Sequence, residues 1–208
     1  MNTLPFRSSQ KGSTDFVLVE TGTTFGLTGW EESGQSTIMF DRFLNFGPNN
    51  GTLHSVDLDE DSCATSRSIT SRKVSVTAAD SVSHLGDLRS RFVASDTLID
   101  LLYLDSWDVA TSEWTSTAAG ADALPATHAL KELEAIRSRL RPGGIVLVDD
   151  NMPTWATTAD QVRGRGGGGA KEYDRGDNVK GKGRLVAEKL KEVGCELVFW
   201  GWQVMFVC

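Results

Sequence analysis

Seven short apolar runs rich in β-branched residues recur along the chain, and longer polar or amphipathic stretches separate them. This alternation is typical of βαβ units built around a buried parallel sheet. The predicted strands cover residues 16–20, 52–57, 74–78, 99–105, 144–149, 196–200 and 203–207. We therefore expect an α/β fold with helices on both faces of one sheet. A chain of 208 residues fits a single domain, here preceded by an N-terminal extension over residues 1–14.

The strongest helical pattern lies between the fourth and fifth strands, over residues 126–140, and Pro142 is expected to stop it. Further helices are predicted between the other strands, at residues 35–46, 60–71, 82–92 and 184–193. The last two strands differ, because only Gly201 and Trp202 separate them, which predicts a type II′ hairpin. The sheet is therefore expected to be mostly parallel, with an antiparallel last strand.

Composition excludes several functional classes. The net charge of −7, from 21 basic and 28 acidic residues, argues against nucleic-acid binding, which depends on a basic surface. No apolar run is long enough to span a membrane, and the N-terminus lacks the apolar region of a secretory signal, so a cytoplasmic protein is expected. Cys63, Cys195 and Cys208 form no CxxC pair and are predicted to be reduced thiols.

Positive charge is nevertheless concentrated in one segment. Residues 163–191 hold nine Lys or Arg against four Asp or Glu. Much of this segment belongs to a predicted loop, residues 151–180, which follows the fifth strand at the edge where open α/β sheets bind ligands. The basic side chains of this segment could complement an anionic small-molecule substrate; they are Arg163, Arg165, Lys171, Arg175, Lys180 and Lys182. A solvated loop is the alternative.

The first strand runs directly into a glycine turn, V-E-T-G-T-T-F-G-L-T, which contains Glu20, Gly22 and Gly26. Glycines at this point allow a ligand to approach the backbone closely, and the turn differs from the G-x-G-x-x-G fingerprint of NAD sites. Asp57 closes the second strand, where a carboxylate is well placed to accept hydrogen bonds from ribose hydroxyls. The two features together indicate a nucleotide site, the alternative being a tight turn and a solvated aspartate.

Acidic residues also close the fourth and fifth strands. Asp105 and Asp108 follow one strand, and Asp149 and Asp150 follow the next. Like charges that converge either raise a pKa or bind a cation, and oxygen ligands favour Mg²⁺, Mn²⁺ or Ca²⁺. A divalent metal is therefore expected, with helix caps and solvated strand ends as the alternative.

These motifs together resemble the class I S-adenosylmethionine-dependent methyltransferases, over nearly the whole chain. The matching segments are V-E-T-G-T-x-x-G-x-T, S-V-D-L and L-R-P-G-G-I-V-L-V-D-D. The resemblance implies a Rossmann-like seven-stranded sheet and S-adenosylmethionine as the cofactor. It implies that the first-strand turn lines the methionine part, that Asp57 holds the ribose, and that Asp80 and Ser81 flank the adenine. The full predicted cofactor set is Glu20, Thr21, Gly22, Gly26, Thr28, Asp57, Leu58, Asp80, Ser81, Asp105 and Trp107.

The segments L-Y-L-D-S-W and V-D-D resemble, more narrowly, the metal-dependent O-methyltransferases of the catechol, caffeoyl-CoA and sugar-modifying types. The resemblance implies a magnesium site formed by Asp105, Asp149 and Asp150, with the pair Asp150 and Asn151 as the shifted alternative. It implies methylation of a hydroxyl on a small molecule, since a bound metal lowers the hydroxyl pKa. The alternatives are a metal-free N- or C-methyltransferase and a non-catalytic cofactor-binding module.

The sequence departs from the catechol type at Asp108, where that type has a lysine as its general base. We predict that metal activation suffices, helped by Asp108, so Asp105 and Asp108 are the catalytic candidates. The chain also begins almost at its first strand, so the pocket is expected to be open or to be closed by a second copy in a homodimer. The three histidines, His54, His84 and His128, are assigned surface or packing roles.

Overall fold

The structure is a computed structural model that describes residues 15–24, 35–46, 49–107, 123–152 and 179–208. Seven strands form the main sheet: β1 (Phe16–Thr21), β2 (Gly51–Asp57), β3 (Val74–Ala78), β4 (Ile99–Leu104), β5 (Leu140–Val148), β8 (Glu196–Trp200) and β9 (Val204–Val207). A separate two-stranded sheet pairs β6 (Asn151–Met152) with β7 (Lys180–Gly181). All seven strands predicted from the sequence are present.

The strand order of the main sheet is β3-β2-β1-β4-β5-β9-β8. The first five strands in this order run parallel to one another, whereas β9 runs antiparallel to both β5 and β8. The predicted Rossmann-like sheet with an antiparallel last strand is confirmed. Its order reverses between β1 and β4, and the crevice at such a switch point is where open α/β sheets bind ligands.

Five helices occupy the described parts of the connections: α1 (Ser36–Asn45), α2 (Glu60–Ile69), α3 (Ser81–Ala94), α4 (Ala123–Ile136) and α5 (Arg184–Glu192). Two of them begin at aspartates that accept backbone hydrogen bonds, Asp59 at α2 and Asp80 at α3. The predicted end of the long helix is wrong. A 3₁₀ turn follows Ile136, and Leu140 belongs to β5, because its backbone pairs with Ile99 of β4.

The link between β8 and β9 also differs from its prediction. It contains three residues rather than two, and the Gly201 amide donates to the carbonyl of Gln203 at 2.9 Å. Gly201 does not have the positive φ that a type II′ turn requires. The register of the two strands shifts between Leu197 and Phe199, so one more residue enters the turn.

The main core lies on one face of the sheet, between the central strands and three helices. Its fully buried residues include Leu102 and Val146 from the sheet, Leu88 from α3, Leu133 from α4 and Leu190 from α5. A smaller cluster on the other face packs Leu44 of α1 against β1 and β2. The helices therefore cover both faces, as the alternation of apolar runs predicts.

Cys195 and Cys208 form a disulfide, with their Cα atoms 4.2 Å apart. The prediction of reduced thiols is wrong for this pair. Antiparallel pairing of Glu196 with Val207 brings the two cysteines together across adjacent strands, although they are 13 positions apart in the sequence. Cys63 is a free, buried thiol, as predicted.

None of the helices in the described ranges has the length and apolar character needed to cross a bilayer.

We expect Leu133→Ala to lower the free energy of unfolding by about 2–5 kcal/mol, because it leaves a cavity in the main core. Leu133 is 0% exposed, whereas Leu124 on the same helix is 69% exposed. Urea denaturation of both alanine variants measures the difference. Equal losses for the two variants would contradict this packing of α4.

Candidate functional site

A cleft of about 300 Å³ opens at the carboxyl ends of β1, β2 and β4. Seven residues predicted for cofactor binding line it: Gly22, Asp57, Leu58, Asp80, Ser81, Asp105 and Trp107. A larger depression of about 630 Å³ lies at the opposite edge of the sheet, away from these side chains. The smaller cleft is the candidate site, because the glycine turn and the strand-end carboxylates meet there.

Gly22 sits at the tightest point of the cleft. Its φ is +84°, a conformation that side chains disfavour, and a Cβ there would lie 2.6 Å from the carbonyl oxygen of Asp105. Its amide donates to the carbonyl of Val56, and the Asp105 amide donates to the carbonyl of Thr21. The ends of β1, β2 and β4 are therefore joined through backbone that only glycine permits.

Asp57 is held at the end of β2 by backbone donors. Its Oδ2 accepts from the amide of Thr23 at 3.0 Å, and its Oδ1 accepts from the amide of Asp59 at 2.9 Å. Each oxygen of an ionised carboxylate can accept a second hydrogen bond. The carboxylate is thus oriented by the protein and has acceptor capacity for a ligand in the cleft.

Glu20 lies beneath the cleft rather than in its wall, and it is fully buried. The hydroxyls of Thr37 and Ser55 donate to its Oε2 at 2.7 and 2.8 Å. Burial raises the pKa of Glu20 to about 7, against the opposing effect of the neighbouring hydroxyls. Thr21 is also buried, and its hydroxyl donates to the carboxylate of Glu132 on α4.

His128 and Glu132 of α4 form a part of the site that the sequence analysis missed. The Nε2 of His128 lies 3.0 Å from the hydroxyl of Ser81 and 3.3 Å from Oε1 of Glu132. His128 lines the cleft beside Trp107, with ring centroids 5.4 Å apart, whereas the sequence analysis gave it only a surface or packing role. The hydrogen bond to Glu132 raises the pKa of His128.

A signal for this pair was present in the sequence. Glu132 adjoins Leu133 on the apolar face of α4 and is fully buried, where a carboxylate needs polar partners. His128 lies four residues earlier, on the same face of the helix. The hydroxyl of Ser106, which also donates to Glu132, comes from a distant part of the chain and only the fold reveals it.

The acidic residues at the ends of β4 and β5 surround a lysine. The Nζ of Lys182 lies 3.0 Å from Oδ1 of Asp105 and 3.0 Å from Oδ2 of Asp150. Lys182 is 1% exposed. Burial lowers its pKa, but the two carboxylates outweigh burial, so the pKa lies above its ordinary value and the ammonium stays charged.

Asp149 faces other partners. Its Oδ2 accepts from the hydroxyl of Tyr103 and from Nε2 of Gln203, and its Oδ1 accepts from the amide of Asp150 at 2.8 Å. Burial and the neighbouring carboxylates raise the pKa of Tyr103, so its hydroxyl remains protonated and donates. Among the residues that the structure describes, the donors to Asp149 are thus neutral groups.

This arrangement does not fit the predicted metal site. The ammonium of Lys182 stands between Asp105 and Asp150, and the side chain of Asn151 is engaged by the backbone of Val148 and Gly183. Within the described ranges, no group of three or more His, Cys, Asp or Glu side chains is arranged to hold a metal ion.

Lys182 reaches this position because the small sheet returns the chain to the edge of β5. Asn151 pairs with Gly181, and the Lys182 amide donates to the carbonyl of Asp150. A Cβ on Gly183 would lie 2.3 Å from the side-chain oxygen of Asn151, so this close approach needs glycine. The ammonium of Lys182 is therefore engaged by two carboxylates of this chain, and complementarity of this segment to an anionic substrate stays a prediction.

Some predicted residues lie outside the described part of the chain. They are Gly26, Thr28 and Asp108, together with residues 153–178 of the predicted loop.

The sequence matches no known family model and no curated protein. The fold is similar to that of MycE, a methyltransferase from the mycinamycin biosynthetic pathway solved with Mg, SAH and mycinamycin VI. The TM-score is 0.53 at 15% identity, over 93% of this chain and 44% of MycE. It is also similar to NSun6 from Pyrococcus horikoshii with SFG, with a TM-score of 0.50 at 13% identity, over 94% of this chain and 47% of that one. The chain thus spans less than half of either structure, and the shared feature is the fold.

We expect the stability of the protein to fall as the pH rises through the range in which Glu20 ionises. Its pKa rises from 4.5 to about 7 on folding, so its stabilising effect is complete below pH 4.5 and is lost as the pH passes about 7. Glu20→Gln removes this titration. At pH 8 the free energy of unfolding of the variant should therefore exceed that of the wild type by up to about 3 kcal/mol.

The measurement is the free energy of unfolding of both proteins, determined with urea at pH 4.5 and pH 8. Glu134→Gln, at an exposed position on α4, is the matched control and should follow the wild type. A constant difference between wild type and Glu20→Gln at the two pH values would contradict the expected titration.

Proposed function

We propose that this protein is an S-adenosylmethionine-dependent methyltransferase. The observation that carries the proposal is the close approach of Gly22 to Asp105, with the carboxylate of Asp57 oriented toward the same cleft. The cleft lies at the switch point of the sheet, in a fold shared with MycE solved with SAH and NSun6 solved with SFG.

In this proposal Asp57 accepts hydrogen bonds from the ribose hydroxyls, and the turn at Gly22 faces the methionine part of the cofactor. The adenine end lies near Ser81 and His128, where the half-exposed Trp107 offers an aromatic surface. Glu20 and Glu132 support the cleft from beneath, because their hydrogen bonds hold the ends of β1 and β4 in place.

We further propose that the acceptor is a hydroxyl oxygen on a small molecule. The motifs L-Y-L-D-S-W and V-D-D support this, as does the complex of MycE with mycinamycin VI. The methyl group passes from the cofactor sulfonium to the acceptor oxygen, the C–S bond breaks, and the acceptor proton leaves. Asp105, one of three carboxylates among the residues that line the cleft, is our candidate to receive this proton. Such a transfer requires alignment and exclusion of water rather than a covalent enzyme intermediate.

A divalent cation is the second form of this proposal, and the MycE complexes with Mg are the observation that favours it. The residues expected to hold the ion, Asp105, Asp149 and Asp150, do not fit it as they stand, because the ammonium of Lys182 already pairs with two of them. The two ion pairs of Lys182 favour the form of the proposal that uses no metal.

Asp57→Ala should weaken the binding of S-adenosylmethionine and S-adenosylhomocysteine by about 10- to 100-fold. The variant loses its charge-assisted hydrogen bonds to the ribose, and a total loss of about 1.5–3 kcal/mol corresponds to this range. Calorimetric titration of both cofactors into the purified protein measures the change.

Asp61→Asn is the matched control, because Asp61 is an exposed acidic residue four positions later, at the start of α2. It should bind both cofactors as the wild type does. Wild-type protein that binds neither cofactor would overturn the proposed function. Binding without turnover across hydroxylated acceptors would leave a cofactor-binding module instead of an enzyme.

A further inference from the structure

The carboxylates of Asp105, Asp149 and Asp150 are called the acidic cluster below. We propose that the ammonium of Lys182 is the resident cation of the acidic cluster and takes the place of a divalent metal, so that the wild-type site binds no such ion. One consequence is that methyl transfer by this protein needs no metal. This consequence rests on the proposed function, whereas the claim about metal binding does not.

The first support is the position of the ammonium. Its Nζ bridges Oδ1 of Asp105 and Oδ2 of Asp150, at 3.0 Å from each. Mg²⁺ binds oxygen at about 2.1 Å and Ca²⁺ at about 2.4 Å. An ion bound to these same two oxygens would therefore lie beside the ammonium, and the two positive charges would repel each other in a site largely removed from water.

The second support is the state of the remaining carboxylate. Asp149 accepts hydrogen bonds from Tyr103, Gln203 and the amide of Asp150. Turning Asp149 toward a metal would break these bonds, and the buried Tyr103 hydroxyl would exchange its contact with Asp149 for the longer one, 3.3 Å, to Oδ2 of Asp105. Each donor that loses its acceptor or keeps a poorer one in this way opposes metal binding.

The third support is that both the side chain and the backbone of Lys182 are fixed by the surrounding structure. Its side chain is 1% exposed, and its amide donates to the carbonyl of Asp150. The next residue, Gly183, packs directly against the side chain of Asn151. Removing one partner of a buried ion pair leaves an uncompensated charge, so a metal could enter only at the cost of displacing an anchored cation.

The proposal is tested by titrating the full chain with Mn²⁺, without cofactor or acceptor. The electron paramagnetic resonance signal of free Mn²⁺ measures how much of the ion is bound. Wild-type protein should take up no stoichiometric Mn²⁺ at about 1 mM. Lys182→Met keeps an unbranched side chain but removes the cation, so it should bind one Mn²⁺ at least about tenfold more tightly than wild type.

Two controls separate the site from general charge effects. Lys131→Ala removes one positive charge at an exposed position on α4 and should not gain Mn²⁺ binding. The double variant Lys182→Met with Asp105→Asn should lose the binding that the single variant gains, because one of the two bridged carboxylates is gone.

Stoichiometric Mn²⁺ binding by the wild type at micromolar concentrations would overturn the proposal, and so would a folded Lys182→Met variant that gains no binding. If that variant does not fold, the wild-type titration decides alone. Cofactor titration is a separate measurement, so failure of the proposed function leaves the result on Lys182 standing.

Discussion

Buried carboxylates impose the constraint on which the rest of this structure depends. The carboxyl edge of the sheet removes several acidic side chains from water, and each needs donors or a cation. Glu20 is met by the hydroxyls of Thr37 and Ser55, Glu132 by His128 and two hydroxyls, and Asp105 by Lys182. These partners come from different elements. Compensating the charges therefore joins the ends of β1, β4 and β5 to α1, α4 and the segment around Lys182.

The cleft forms because these strand ends are joined. Gly22 lets the backbone of β1 meet the backbone after β4, and the same contact leaves Asp57 oriented at the side. A ligand entering there meets groups that are already aligned, so little ordering is left for binding to accomplish. This is the physical basis for proposing a nucleoside cofactor at this edge of the sheet rather than in the larger depression at the opposite edge.

Local patterns predicted the elements well and their connections less well. The strands were recoverable because each buries a short apolar run, which periodicity reports directly. The end of α4 was not, since Leu140 is apolar and fits either a helix face or a strand, and only pairing with Ile99 decides. The disulfide between Cys195 and Cys208 was missed for the same reason, because strand pairing brings the two cysteines together.

The sequence by itself determined the order of strands and helices, the glycine turn after β1 and the carboxylates that close the strands, since these follow from local periodicity and residue type. The tertiary structure alone decided which charges meet. Lys182 is 77 residues from Asp105, and it reaches that carboxylate because β6 pairs with β7 and Gly183 packs against Asn151. The energy of a buried ion pair depends on distance and burial in space, and neither can be read from positions along the chain.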